Sequence, residues 1–215
     1  MVTAAALLGA CLVALACLTV MCVACAGREN YTPRSTPLEL HLVDDFLTKD
    51  EATAISRAAL RKGMKRSTVV DEDGPSSTRT SSTAFLGEAD DPVVARVFAK
   101  VERLLGVPRD RFEDMQVIRY SEGQKYDAHY DPCHGCQEGK RDLLREWTVL
   151  MYLNDDFEGG VTDFPLAGKS VAPQTGRAAV FRSMEGDKIV RQSKHQSLPV
   201  TAGTKMAATV WVRPK

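Results

Sequence analysis

The residues best equipped for chemistry lie mid-chain, in Tyr126-Asp127-Ala128-His129-Tyr130-Asp131. His129 and Asp131 flank a single residue in an alternating, strand-like run. In a β-strand residues i and i+2 share a face, so the imidazole and the carboxylate can reach one point from a stiff backbone. A further histidine would complete a two-His, one-carboxylate set, the arrangement that holds non-haem Fe(II) with positions left open. Taken alone, His-x-Asp also describes an ordinary strand with a surface ion pair.

Three other histidines are available: His41, His134 and His195. His41 falls in the first strand-like stretch and reads as a surface or edge residue. His195 falls in a late one, Ser193 to Leu198. Beyond the turn Leu198 to Gly203, Lys205 opens the apolar run Lys205-Met206-Ala207-Ala208-Thr209-Val210-Trp211-Val212. A lysine inside an apolar strand is costly unless it meets an anion. Lys205 therefore sits at the strand's exposed mouth or binds the carboxylate of a cosubstrate.

These residues need a scaffold. Leu38 to Phe46 alternates as a strand. Thr48 followed by Glu51 is a capping box, which predicts a helix to about Lys62. Met64 to Thr83 is rich in Ser, Thr, Asp and Gly and reads as loop or irregular strand. Asp90 or Asp91 caps a second helix with Pro92 in its first turn. Val94, Val97, Phe98, Val101, Leu104 and Leu105 form its apolar face, and Gly106 ends it. Strands are predicted at Met115 to Tyr120, Lys125 to Asp131, Glu146 to Leu153, Ala178 to Arg182, Ser193 to Leu198 and Lys205 to Val212. Many short strands without intervening helices predict an α+β, mainly β domain, an antiparallel sandwich or jelly roll with both helices on one outer face.

Composition sets the outer bounds. The chain has 215 residues, 28 Lys+Arg against 28 Asp+Glu, and a net charge of zero. No basic field argues for nucleic acid. Residues 1–27 carry no charge and are rich in Ala, Leu, Val and Cys. About 20 apolar residues cross a bilayer, so this stretch reads as a membrane anchor, or as a signal peptide cut near Ala24-Cys25-Ala26. Both readings place the remainder in the endoplasmic reticulum or secretory pathway: a luminal domain on a single-pass anchor, or a secreted one. Residues 28–37 read as a linker and 38–215 as the domain. Asn30-Tyr31-Thr32 matches a glycosylation acceptor.

The words around the histidines carry a resemblance. Gln116 to Tyr120 and Gly123 to Asp131 resemble the RY-x-x-GQ-x-Y-x-x-H-x-D block of the prolyl 4-hydroxylase family of 2-oxoglutarate, Fe(II)-dependent dioxygenases. Thr148 to Asn154 resembles its TVLMYL block, Glu158 to Pro165 its EGG-x-T-x-FP block, and Arg79-Thr80-Ser81-Ser82 its RTS word. The resemblance covers about Leu38 to Lys215. It implies a double-stranded β-helix with Fe(II) held by His129, Asp131 and His195. It implies 2-oxoglutarate bound through Lys205, with Tyr120 and Thr162 beside it and Trp211 near. Tyr126 and Arg79 would face the substrate, Arg79 from a mobile loop; strand alternation alone turns Tyr126 away from the ligand face unless the backbone bulges. The implied reaction is O2-dependent hydroxylation of peptidyl proline, with release of succinate and CO2 and with L-ascorbate as reductant. The partner would be a proline-containing peptide. An oxygenase for lysyl residues or small molecules, or a binding module without catalysis, are the competing readings.

The stretch after Asp131 departs from the family words. Pro132-Cys133-His134-Gly135-Cys136 fits a local disulfide, a free thiol pair or half a zinc site.

Overall fold

The computed structural model describes residues 37–68, 77–132 and 144–215. The apolar residues 1–27, the linker up to Thr36, Asn30 and Cys133 to Cys136 lie outside them. Among the described residues no helix is long and apolar enough to cross a membrane.

The chain runs through β1 (Leu40–Val43), α1 (Lys49–Lys62), β2 (Lys65–Arg66), β3 (Ser82–Leu86), α2 (Pro92–Leu105), β4 (Met115–Ser121), β5 (Tyr126–His129) and β6 (Trp147–Tyr152). It continues through β7 (Glu158–Gly159), β8 (Thr162–Phe164), β9 (Lys169–Val171), β10 (Ala178–Arg182), β11 (Met184–Glu185) and β12 (Lys188–Ile189). It ends with β13 (His195–Ser197), β14 (Val200–Ala202) and β15 (Thr204–Val212). One sheet has the order β1-β10-β6-β15-β4-β3-β2 and a smaller one β5-β13-β8-β9; every pairing is antiparallel.

Both helices form where local chemistry asks for them. Thr48 Oγ1 accepts from the Glu51 N–H at 3.1 Å, and Glu51 Oε2 accepts from the Thr48 N–H at 2.9 Å, so the capping box is closed both ways. Asp91 caps α2 by accepting from the Val93 N–H at 3.0 Å, and Gly106 ends it with φ 65°, a conformation that glycine adopts without strain. Val93, Val94, Val97, Phe98 and Val101 are fully buried. Leu104, expected on this face, is 41% exposed because it falls at the rim of the stripe that reaches the sheet.

The helices cover one face of the large sheet. Ala52, Ile55, Val94, Phe98, Leu86, Met115, Val117, Met151, Ala208 and Val210 join in one apolar cluster. Alternation sends the neighbouring residues to the opposite face. Thr209 lies opposite Gln116 on β4 and Leu150 on β6, and Lys205 opposite Tyr120. That opposite face looks toward the smaller sheet and carries the polar residues.

Several boundaries are shorter than the sequence suggests. The first strand covers Leu40–Val43 rather than Leu38 to Phe46, and the strand around His195 covers His195–Ser197. Ser193 instead closes a 3-10 turn. The stretch Met64 to Thr83, read as loop or irregular strand, holds the two-residue strand Lys65–Arg66 and the start of a longer one at Ser82–Leu86. The strands at Glu158, Thr162 and Lys169 were not foreseen: at two or three residues each they show no alternation to read.

Candidate active site

The two sheets enclose a cavity with about 480 Å³ of open space, its mouth included. Large-sheet side chains Gln116, Ile118, Tyr120, Thr148, Leu150, Lys205, Ala207, Thr209 and Trp211 line one side. Tyr126, His129, Thr162, His195, Gln196 and Ser197 line the other, joined by Asp131 and Arg79.

At its centre His129 and His195 face each other across paired strands. Their rings lie 4.4 Å apart, and one ligand atom from each, with one from Asp131, lie within 4.8 Å of one another. Asp131 Oδ1 is 3.9 Å from His129 Nε2, and Oδ2 is 3.9 Å from His195 Nε2. Asp131 stands beyond the end of β5, yet its carboxylate still converges on the imidazoles.

The backbone fixes which nitrogen of each imidazole is basic. His129 Nδ1 lies 2.8 Å from the Asp127 carbonyl and His195 Nδ1 lies 3.0 Å from the Ser193 carbonyl. A carbonyl only accepts, so each Nδ1 carries the hydrogen and each Nε2 keeps a lone pair aimed at the centre. Burial, with the neighbouring His195, pulls the His129 pKa down to about 3, which keeps the ring neutral. Burial pushes the Asp131 pKa up, but His195, His129, Arg145 and the Thr148 hydroxyl outweigh it and hold the carboxylate ionised. Two imidazoles that turn Nε2 to the centre, with one carboxylate, suit a divalent ion such as Fe(II).

Lys205 lies deeper in the same cavity and is 2% exposed. Its Nζ donates to the Gly160 carbonyl at 2.6 Å and to Ser197 Oγ at 2.9 Å. An ammonium has three hydrogens, so one remains for a further acceptor. Among the described residues no carboxylate pairs with it, and burial lowers its pKa to about 7. An anion entering here would relieve that cost. The glycine pair of the Glu158-Gly159-Gly160 word is sterically required. Gly160 has φ 61°, and a Cβ there would lie 3.0 Å from Lys205 Cδ and 2.9 Å from Phe157 Cε2.

The chain contains a match to the 2OG-Fe(II) oxygenase superfamily over residues 115–213. It is 36% identical over 195 residues to prolyl 4-hydroxylase 1 of Arabidopsis thaliana, covering 81% of this chain and 68% of that protein. The chain belongs to the prolyl 4-hydroxylase family. Probable prolyl 4-hydroxylase 4 of the same plant is 34% identical over 198 residues, covering 79% of this chain and 65% of the relative. The chain thus spans just under two thirds of the length of several curated relatives that it matches. The viral collagen prolyl hydroxylase of Paramecium Bursaria Chlorella virus-1, solved with 2OG, superimposes with a TM-score of 0.68 at 28% identity, covering 82% of this chain and 96% of that one.

All nine residues singled out from the family words line this one cavity. Tyr126 does so despite strand alternation. His195 pairs with His129 but Ser197 with Tyr126, so Gln196 opposes both Asp127 and Ala128. This bulge turns the Tyr126 ring onto His129, stacked at 3.6 Å and 17°. Arg79 lies outside the named strands, is 7% exposed and makes an isolated bridge to Tyr126, which turns it into the cavity. Its guanidinium donates to Gln116 Oε1 at 2.8 Å and covers the Tyr126 ring at 4.6 Å. Thr162 Oγ1 accepts from the Tyr152 hydroxyl at 2.8 Å, leaving its own O–H to donate. The Trp211 Nε1–H is buried with no hydrogen-bond partner among the described residues, while the Arg145 guanidinium stacks on its ring at 3.5 Å.

Sequence reasoning missed Thr148, Ser183, Ser197, Gln116 and Arg145. The polarity of Ser193 to Gln196, odd for a buried strand, was the readable sign. Ser193 supplies the carbonyl for His195, and Gln196 Nε2 donates to Asp163 Oδ2 at 2.8 Å.

Proposed function

We propose that this chain is an Fe(II)- and 2-oxoglutarate-dependent oxygenase that hydroxylates proline in a peptide substrate. One observation carries the reading: two imidazoles and a carboxylate that converge as a metal set share a single cavity with a buried lysine that has no carboxylate partner among the described residues. His129, Asp131 and His195 hold the iron, which when bound supplies the oxygen-activating chemistry. Lys205 receives the far carboxylate of 2-oxoglutarate, assisted by hydroxyl donors from Tyr120 and Thr162. Trp211 Nε1 offers a further donor to a bound molecule. Arg79 and Tyr126 form the wall nearest His129 and orient the substrate. The family relatives, prolyl hydroxylases by name, support proline as the target.

The facing antiparallel sheets support a double-stranded β-helix. The uncharged residues 1–27 support a secretory-pathway location with attachment to, or passage through, a membrane. L-ascorbate would serve to keep the iron ferrous.

The test is an anaerobic titration of the purified protein with Fe(II) and 2-oxoglutarate, followed by admission of O2 with proline-rich peptides. A visible metal-to-ligand absorption band and peptide-dependent succinate release are expected. Absence of the band would sink the oxygenase reading. Succinate released only with lysyl peptides or small molecules would move the target away from proline.

A further inference from the structure

Asp131 has two oxygens, and the structure treats them differently. The Thr148 hydroxyl lies 2.5 Å from Asp131 Oδ2 and 3.2 Å from Ser183 Oγ. Thr148 is the second residue of β6 and Ser183 follows β10 directly; both side chains are buried. An ionised carboxylate can only accept, so Thr148 spends its single proton on Asp131. The Ser183 hydroxyl must then donate to Thr148. The result is a one-way chain, Ser183 to Thr148 to Asp131.

The chain is held rigidly at its far end. The Ser183 N–H donates to the Glu146 carbonyl at 2.7 Å, and the Ser183 carbonyl accepts from the Val190 N–H at 3.0 Å. Thr148 is fixed by pairing with both Trp211 and Phe181. The backbones that carry both hydroxyls are thus held, which limits how far either can follow a carboxylate that rotates about its Cβ–Cγ bond.

From this geometry we infer that Thr148, backed by Ser183, is a positioning residue that keeps Asp131 a one-oxygen ligand. Oδ2, although 3.9 Å from His195 Nε2, has a lone pair committed to Thr148. Oδ1, 3.9 Å from His129 Nε2, accepts no hydrogen bond among the described residues and is the freer oxygen for the ion. The inference rests on the iron-site reading above and deepens it. Its consequence is a matter of counting. A six-coordinate ion with three single-atom protein ligands keeps three positions open. A carboxylate swung to two-oxygen binding would take one of them, and a chelating cosubstrate would then leave no place for O2.

The test uses Co(II) as a spectroscopic stand-in for Fe(II), with no turnover required. Thr148→Val is expected to weaken Co(II) binding by roughly 10–100-fold, the usual scale for loss of a hydrogen bond to a metal ligand. It should also change the visible absorption of the bound ion. Thr148→Ser, which keeps the hydroxyl, should restore both affinity and spectrum. Ser183→Ala leaves the direct contact in place and should shift affinity the same way by a few-fold; it is also the fallback if the valine variant does not fold. A valine variant with wild-type affinity and spectrum, or a serine variant no better than valine, overturns the positioning role alone. Wild-type protein that takes up no Co(II) overturns the metal site together with it.

Discussion

The two faces of the large sheet are built from the same strands and do opposite work. Toward the helices, β4, β6 and β15 present Met115, Val117, Met151, Ala208 and Val210, all fully buried and apolar. Toward the cavity the alternate residues are Gln116, Tyr120, Thr148, Lys205, Thr209 and Trp211. Apolar burial on the first face is worth about 1.5–3 kcal/mol per large side chain. On the second face each polar group gives up hydration, and Lys205 does so with only neutral acceptors. Stability is therefore concentrated on one side of a single layer and reactivity on the other. The two should separate under mutation.

The sharpest separation is expected at the metal set. His129→Ala or Asp131→Ala should abolish turnover and Fe(II) uptake while leaving the metal-free melting temperature at or above that of wild type. A large drop in that temperature, measured by circular dichroism, would show that the cavity face carries stability after all. The mirror experiment is Phe98→Ala on α2. It should cost about 3–5 kcal/mol in urea unfolding, with metal affinity of the folded protein unchanged within about two-fold.

Lys205→Met comes next. Removing a buried ammonium should raise the unfolding free energy of the metal-free protein, whereas the 2-oxoglutarate concentration needed for half-maximal succinate release should rise by roughly 100-fold, the size of a lost charge-assisted pair. Unchanged 2-oxoglutarate dependence would remove Lys205 from its assigned role. The most gradual effect, small at each step, is in pH. Folded Lys205 loses its proton near pH 7, while the unfolded side chain keeps it to about pH 10.4. Between those values the unfolded state binds more protons, so stability rises with pH, by at most ~1.4 kcal/mol per unit from this group. The rise should be missing in Lys205→Met. It should also flatten under saturating 2-oxoglutarate, because a carboxylate beside the ammonium restores its charge.

What could be read from the sequence follows the reach of the forces involved. The helices were legible because Thr48 with Glu51, and Asp91 with Pro92, act within one turn. His129 and Asp131 were legible because the words around them are long, and Lys205 because a lysine opening an apolar run stands out beyond a late histidine, His195. Tyr126 was not settled, because its direction depends on a bulge created by pairing with Ser197, far away in the chain. Arg79 looked like a loop residue because its cover, Gln116 and Tyr126, arrives only with the folded sheet. Thr148 looked like one more strand residue, since nothing local says that β10 will deliver Ser183 beside it.

The cross-strand pairing of His129 with His195 carries one more consequence. An ion gripped by both rings is a removable staple. It joins β5 to β13 and closes the long stretch of chain between them, as a disulfide would, but with a bond that a chelator can undo. The smaller sheet has short strands and much less apolar contact than the helix-covered layer, so it gains most from the staple. Metal occupancy would then set how often that half of the protein opens, and the metal-free chain is expected to be the one that a protease cuts first.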